Sequence, residues 1–204
     1  LLATPLKICG EVVLRIHQHL MSRETSLGAI TKVYSHAQSL AQCHEWLNRS
    51  LPGVPRISVG SNAEAARLAS LEPGAAAIAG EAASARYDLP RLVESIEDEP
   101  NNTTRFLVLG RHDAGRTGAD KTSLIMSASN RPGAVHELLA PLAEAGVSMN
   151  RFESRPARAA LWEYVFYVDI EGHRDDPAVK VALDALASRA AYLKILGSYP
   201  QAVY

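Results

Sequence analysis

The sequence predicts an α/β chain in two parts, a layer of alternating strands and helices up to residue 110 and a ferredoxin-like βαββαβ unit from residue 121. Three observations carry this expectation. Between residues 30 and 96, short apolar runs alternate with stretches that open on helix-capping patterns. A charged, glycine-containing stretch without apolar periodicity, Arg111 to Asp120, then reads as a linker. Beyond it the periodicity switches in the order strand, helix, strand, strand, helix, strand.

In chain order, residues 1–6 lack an initiating Met and lead at once into Lys7 to Ile16, KICGEVVLRI, a β-branched strand that needs partners on both sides. Such a strand implies that the chain begins inside a domain. Ile30 to Tyr34 is the next strand, and Ser35, His36, Ala37 and Gln38 form an S-x-x-Q capping box for a helix through about Leu47. Pro55 to Val59 is a strand, and Ser61, Asn62, Ala63 and Glu64 make a second capping box for a helix to about Leu71. A third unit follows, with Ala75 to Ala79 as strand and Gly80 to Arg86 as helix start, before a strand at Leu92 to Ile96. The alternation implies a parallel-type layer with right-handed crossovers. Asn101 to Gly110, NNTTRFLVLG, runs from a polar cluster into Phe106 to Leu109, read as a buried strand.

In the second part, Thr122 to Ala128 is a strand and Pro132 opens a helix, with Val135, Leu138, Leu139 and Leu142 as its apolar stripe and Gly146 as its stop. Val147 to Arg155 and Leu161 to Ile170 form a hairpin around Pro156 to Ala160, with Trp162, Tyr164, Phe166, Val168 and Ile170 expected on one face. Asp176 caps a helix with Val179, Leu183, Leu186 and Ala190 inward, and Tyr192 to Tyr199 closes the sheet.

Composition removes several function classes. Twenty-one basic against 22 acidic residues give a net charge of −1, and no basic run or aromatic platform suits nucleic acid. No apolar stretch approaches the ~20 residues that span a bilayer. Cys9 and Cys43 cannot build a disulfide framework and no secretory signal opens the chain, which points to a reducing cytosol. The histidines (His17 and His19 on one strand face, His36 and His44 on a helix, His112, His136 and His173 scattered) lack the companions of a tetrahedral zinc site, so neither metal nor cofactor is expected.

Helix N-termini that follow parallel strands gather at one sheet edge and present free N–H groups, so helix ends dressed with Ser35, Gln38, Ser61 and Asn62 suit an anionic ligand. Capping alone also accounts for both serines, and a strand-entry turn accounts for the Asn and Thr cluster.

The stretch IEDEPNNTTRFLVLG resembles the signature of prephenate dehydratases, in which a Thr-Arg-Phe triplet carries the essential threonine; here the triplet is Thr104, Arg105 and Phe106. The resemblance implies a two-lobed, periplasmic-binding-protein-like catalytic domain that converts prephenate to phenylpyruvate, with the active site between lobes. Thr104 is the implied catalytic hydroxyl. Ser35, Gln38, Ser61, Asn62, Glu81, Asn102, Thr103, Arg105 and Phe106 are the implied substrate-binding residues, Arg105 pairing with either a substrate carboxylate or a structural acid. Nothing here matches the family's first lobe, so the 204-residue chain alone is expected to be inactive. Whether a chorismate mutase domain lies upstream is open.

The stretch NRPGAVHELLAPLAEAGVSMNRFESRPARAALWEYVFYVDIEGH resembles the ACT domain of phenylalanine-regulated members of that family. This implies feedback by L-phenylalanine, held by Asn130, Pro132, Gly133, Ala134 and Val135 of one subunit and Glu153, Ser154 and Arg155 of another, in a homodimer or homotetramer. The alternative is a non-catalytic amino-acid-sensing module, in which the α/β part only binds ligand.

Overall fold

The computed structural model describes residues 4–128, 131–156 and 164–203. Its contacts divide the chain into two compact units, Leu14–Thr104 and a second made of Leu1–Val13 with Arg105–Tyr204. The boundary falls inside two strands, β1 (Lys7–Arg15) and β7 (Thr103–Gly110), which form a two-stranded sheet.

The first unit is an α/β layer. Its strands are β2 (His19–Ser22), β3 (Lys32–Ser35), β4 (Arg56–Ser58), β5 (Ala75–Ala79) and β6 (Arg91–Val93), in the order β4-β3-β5-β2-β6. Strand β3 runs parallel to β4 and β5, as strand-helix alternation requires, whereas β2 is antiparallel to β5 and β6. All four β2 residues are buried, and four residues are too few to show a period in the sequence. Side chains alternate across the sheet. Leu20, Val33, Ala76 and Ile78 face Cys43, Leu47 and Ile96 on one side, while Met21, Tyr34, Ala75, Ala77 and Ala79 face Ala65, Ala66 and Ala69 of α3 (Asn62–Leu71) on the other.

Two local expectations fail for identifiable reasons. Ser35 does not cap a helix. Its buried hydroxyl lies 2.8 Å from the Ile78 carbonyl and 3.0 Å from Asn62 Oδ1, and His36 takes the cap position by accepting from the Gln38 amide. The helix expected to run through Leu47 is broken at Cys43 into α1 (Ala37–Gln42) and α2 (His44–Ser50), because Asp98, far along the chain, accepts from the Glu45 and Trp46 amides and starts α2 afresh. By contrast Ser61 caps α3 as its pattern demands, its Oγ accepting from Glu64 N at 3.1 Å. The short helix α4 (Glu81–Tyr87) follows β5.

The buried strand read at Phe106–Leu109 is instead exposed, at 51%, 37%, 45% and 45% for the four residues. Neither β1 nor β7 has a further strand partner among the described residues. An apolar run is buried only where another layer covers it, which sequence periodicity alone does not reveal.

The second unit carries β8 (Asp120–Ser127), α5 (Ala134–Glu144), β9 (Met149–Pro156), β10 (Tyr164–Glu171), α6 (Pro177–Arg189) and β11 (Tyr192–Pro200) in βαββαβ order. The sheet order β11-β8-β10-β9, antiparallel throughout, is the ferredoxin-like plan. Leu124, Met126, Phe166, Val168 and Ile170 pack against Leu138 and Leu142 of α5 and Val179, Leu183 and Leu186 of α6. Phe166, Val168 and Ile170 thus share the expected face; Tyr164 is exposed, and Trp162 lies outside the described residues.

Helix α5 begins at Ala134 rather than at Pro132, because Gly133 adopts φ +78° as its N-cap. That left-handed conformation suits glycine. Pro141 inside α5 has no N–H for the Glu137 carbonyl, and Arg189 of α6 approaches that oxygen at 3.4 Å. The 111–120 stretch is tied to its own unit. Asp120, 3% exposed, accepts from Thr117 N at 2.8 Å, Gly118 N at 3.1 Å and Thr117 Oγ1 at 2.6 Å, and Ala114 O lies 3.2 Å from His173 Nε2.

Candidate functional site

The parallel strands β3 and β4 both end at the same sheet edge, so the turns into α1 and α3 lie side by side there. Their side chains build a cleft of about 430 Å³ lined by Gln18, His36, Gln38, Ser39, Gln42, Ser61, Asn62, Asn102, Thr103 and Thr104, together with Ile16 and Gly60. Of the residues singled out in the sequence, Gln38, Ser61, Asn62, Asn102, Thr103 and Thr104 therefore share one cavity, and Ser35 lies beneath it, bonded to Asn62.

A network of amides and hydroxyls holds this wall. Asn62 Oδ1 accepts from the His36 amide at 3.1 Å while its Nδ2 donates to Ser39 Oγ at 2.9 Å. Gln18 Nε2 donates to the same Ser39 oxygen and to Gln42 Oε1, each at 3.2 Å. The Gln18 backbone is pinned in turn, since its N–H donates to Glu97 Oε2 at 2.9 Å and its carbonyl accepts from Ile96 N at 2.8 Å. Among the described residues two buried polar atoms lack partners, Gln18 Oε1 and Asn102 Nδ2, and both residues line this cleft. Buried acceptors and donors are rarely left empty in a native protein, so the pair is open to water or to ligand atoms.

No Asp, Glu, Lys or Arg is among the lining residues. The cleft can therefore orient an anion through neutral donors and can stabilise charge that develops during a reaction. His36 Nδ1 accepts from Gln38 N at 3.3 Å, and the tautomer this requires carries its proton on Nε2. Sequence reasoning missed Gln18, Ser39 and Gln42. Gln42 alone had a signal, standing one helical turn after Gln38 on the same face.

The remaining candidates lie elsewhere. Glu81 is 75% exposed in its side chain and pairs with Arg91 at 3.1 Å, outside the cleft lining. Phe106 is half-exposed on β7. Arg105 has the structural acids Glu11 and Asp169 as partners, within its own unit.

The flank of the cleft contains a pH-sensitive cluster. Glu97 meets His17 Nδ1 at 2.7 Å; burial pushes its carboxyl up, but the Gln18 amide and His17 outweigh this and leave it below the usual value. Burial, and then the neighbouring Arg91 charge, hold the His19 imidazole below 6.5, against weaker opposing pulls from Glu94 and Glu97, while its Nδ1 accepts from Ser95 N at 3.1 Å. Both folded-state values are depressed, so each group's contribution to stability is complete above its unfolded value and is lost as pH falls. Melting temperature should accordingly begin to decline below pH 6.5 as His19 is forced to charge, and fall more steeply below 4.5 as Glu97 is protonated. A pH series of thermal melts checks this, and His19→Gln should remove the first stage only.

In the second unit, Gly133, Ala134 and Val135 form the start of α5, and Glu153, Ser154 and Arg155 lie on the edge strand β9. Arg155 Nε donates to Glu153 Oε1 at 2.7 Å, and its guanidinium sits 5.2 Å from the Tyr167 ring centroid. Pro132 precedes the helix, and Asn130 lies outside the described residues.

Residues 1–114 match the family model described as prephenate dehydratase, and residues 122–188 match that of the ACT domain. The chain belongs to the prephenate dehydratase family. It is 57% identical over 206 residues to the bifunctional chorismate mutase/prephenate dehydratase of Neisseria gonorrhoeae, covering all of this chain and 57% of that protein. Among solved structures, the prephenate dehydratase of Arthrobacter aurescens in complex with L-Phe superimposes with a TM-score of 0.83 at 34% identity, over 96% of this chain and 66% of that one. That of Staphylococcus aureus gives 0.83 at 26% identity, over 95% and 72%. The chain thus spans little more than half the length of this curated bifunctional relative. Among the described residues, no helix is long and apolar enough to cross a membrane.

Proposed function

We propose that the full-length protein converts prephenate to phenylpyruvate. The ring carbon–oxygen bond breaks and its electrons leave with the hydroxyl, which takes up a proton to become water. The bond to the ring carboxylate breaks as carbon dioxide departs, and its electrons complete the aromatic ring. Thr104 supplies the hydrogen bond to the departing oxygen. Its hydroxyl is too weak an acid to transfer a proton unaided at neutral pH, so it acts as a donor or as a relay. Asn102 Nδ2 donates to a substrate carboxylate, and Ser61, Asn62, Gln38 and Thr103 complete a neutral cradle.

The observation that carries the reading is the placement of Thr104 in a charge-free cleft that also holds the buried, unpartnered donor Asn102 Nδ2. Such a site fits a dianion whose reaction needs help mainly at the leaving group, since aromatisation supplies the driving force.

The ACT unit is the proposed regulatory site. L-Phenylalanine binds between the start of α5 of one subunit and the Glu153–Arg155 strand of another, in a homodimer or homotetramer, and lowers turnover. A prephenate assay on the full-length protein, with and without phenylalanine, tests both halves. Turnover that falls as phenylalanine rises is the expected result; phenylalanine binding by calorimetry without any turnover would leave only the amino-acid-sensing alternative.

A further inference from the structure

We infer that Arg105 is a positioning residue, which fixes Thr104 by anchoring β7 in the ACT sheet and passes the state of that sheet to the reaction. The inference deepens the dehydratase reading and rests on it.

All three guanidinium nitrogens of Arg105 are engaged, each by a group on a different strand. Nε donates to Glu11 Oε2 of β1 at 2.5 Å, Nη1 to Asp169 Oδ2 of β10 at 2.5 Å, and Nη2 to the Tyr199 hydroxyl of β11 at 2.6 Å. Strand β8 closes the cluster. Ser123 Oγ reaches Asp169 Oδ1 and lies 2.5 Å from the Tyr199 oxygen, while Lys121 Nζ donates to Glu11 Oε1 at 2.9 Å. The Ala202 amide donates to the same Glu11 oxygen at 3.0 Å. Asp169 is 6% exposed and Tyr199 0%, so this is a buried cluster in which two cations balance two anions. A fork whose three nitrogens are each bonded to a different strand is held in one geometry, and it fixes the residue that bears it.

Thr104 is the preceding residue on the same strand, and the unit boundary passes between the two. Whatever moves the Arg105 anchor moves the backbone of Thr104 with it. A hydroxyl meant to meet a departing oxygen tolerates little displacement.

The other end of the path is β10. Val165, Tyr167 and Asp169 alternate along it and so share a face, with Tyr167 beneath the Arg155 guanidinium and Asp169 bonded to Arg105. Tyr167 is paired in register with Glu153 of β9, and the register shifts between Asp169 and Ile170. A ligand held by Glu153 to Arg155 thus acts on a strand whose next inward residue is the anchor of Arg105. Charge state is not the signal. Burial pushes the Tyr199 hydroxyl up to about 12, and Glu11 and Arg105 are held on the charged side of neutrality by their partners, so the cluster transmits position.

The test uses Asp169→Asn and Tyr199→Phe in the full-length protein, the second keeping the ring in place if the first folds poorly. In each, kcat should fall about tenfold with KM within about twofold, and phenylalanine should bind within about threefold of its normal Kd yet inhibit less than half as far. Amide hydrogen exchange at residues 103–110 should be faster in both variants. Folded variants with unchanged kcat, inhibition and exchange would overturn the inference, as would a lower melting temperature with kcat per folded molecule intact, which marks a merely structural cluster. If the parent protein itself fails to turn over prephenate, the functional reading falls instead, and the exchange measurement still decides whether the cluster anchors β7.

Discussion

Replacing Thr104 by valine in the full-length protein should lower kcat about 10²-fold or more while leaving KM for prephenate within a few-fold. Valine keeps the β-branch and the volume of threonine, so β7 is unperturbed and only the hydroxyl is removed. The other lining side chains are amides, hydroxyls, one histidine and one isoleucine, and none is a carboxylic acid that could substitute for the lost donor. Steady-state kinetics decide the point: an unchanged kcat would show that another group assists the departing oxygen. The same variant should bind phenylalanine normally by calorimetry, because Thr104 and the Glu153 strand belong to different units.

Glu153→Ala should weaken feedback by phenylalanine about tenfold or more in inhibition constant and spare basal kcat, since allostery is a coupling between sites that can be lost at one of them. Glu153 is held by Arg155 and Arg151, which pull its carboxyl below its ordinary value and keep it ionised. Removing it leaves two arginines without their partner on an exposed edge, a change that costs little in folding because solvent screens such charges. Loss of basal activity with inhibition retained would contradict the assignment of the regulatory site.

The parts of this molecule legible in sequence were those encoded within one turn or one strand. Ser61 with Glu64, Gly146 and the βαββαβ order of the second unit all rest on local patterns, and they stand in the structure. What was illegible depends on partners distant in the chain. Asp98 starts α2 from more than 50 residues away, Arg105 meets Glu11 and Asp169 at separations of 94 and 64 residues, and Ser35 gives its hydroxyl to β5 rather than to a helix. The cleft shows the same division. Asn102 and Thr104 stood out through their polar cluster, but Gln18 comes from a stretch whose apolar and histidine neighbours gave no reason to expect an unpartnered amide. The exposed Phe106 to Leu109 run is the reverse case, a clear local pattern whose burial is decided by neighbours it cannot specify.

The meeting of β5 and α3 has an evolutionary consequence. Four of the five β5 residues and all the buried residues of α3 are alanines, so sheet and helix approach through methyl groups beneath the wall of the cleft. In an ordinary core the dangerous mutations delete volume, because a large side chain leaves a cavity. Here there is almost nothing to delete, and each added methylene must displace backbone. Substitutions that drift harmlessly elsewhere, alanine to valine or leucine, would push α3 off the sheet and carry Ser61 and Asn62 with it. This layer is buffered against loss and brittle toward gain, so the wall bearing Ser61 and Asn62 is guarded less by those polar residues than by the smallness of the side chains behind them.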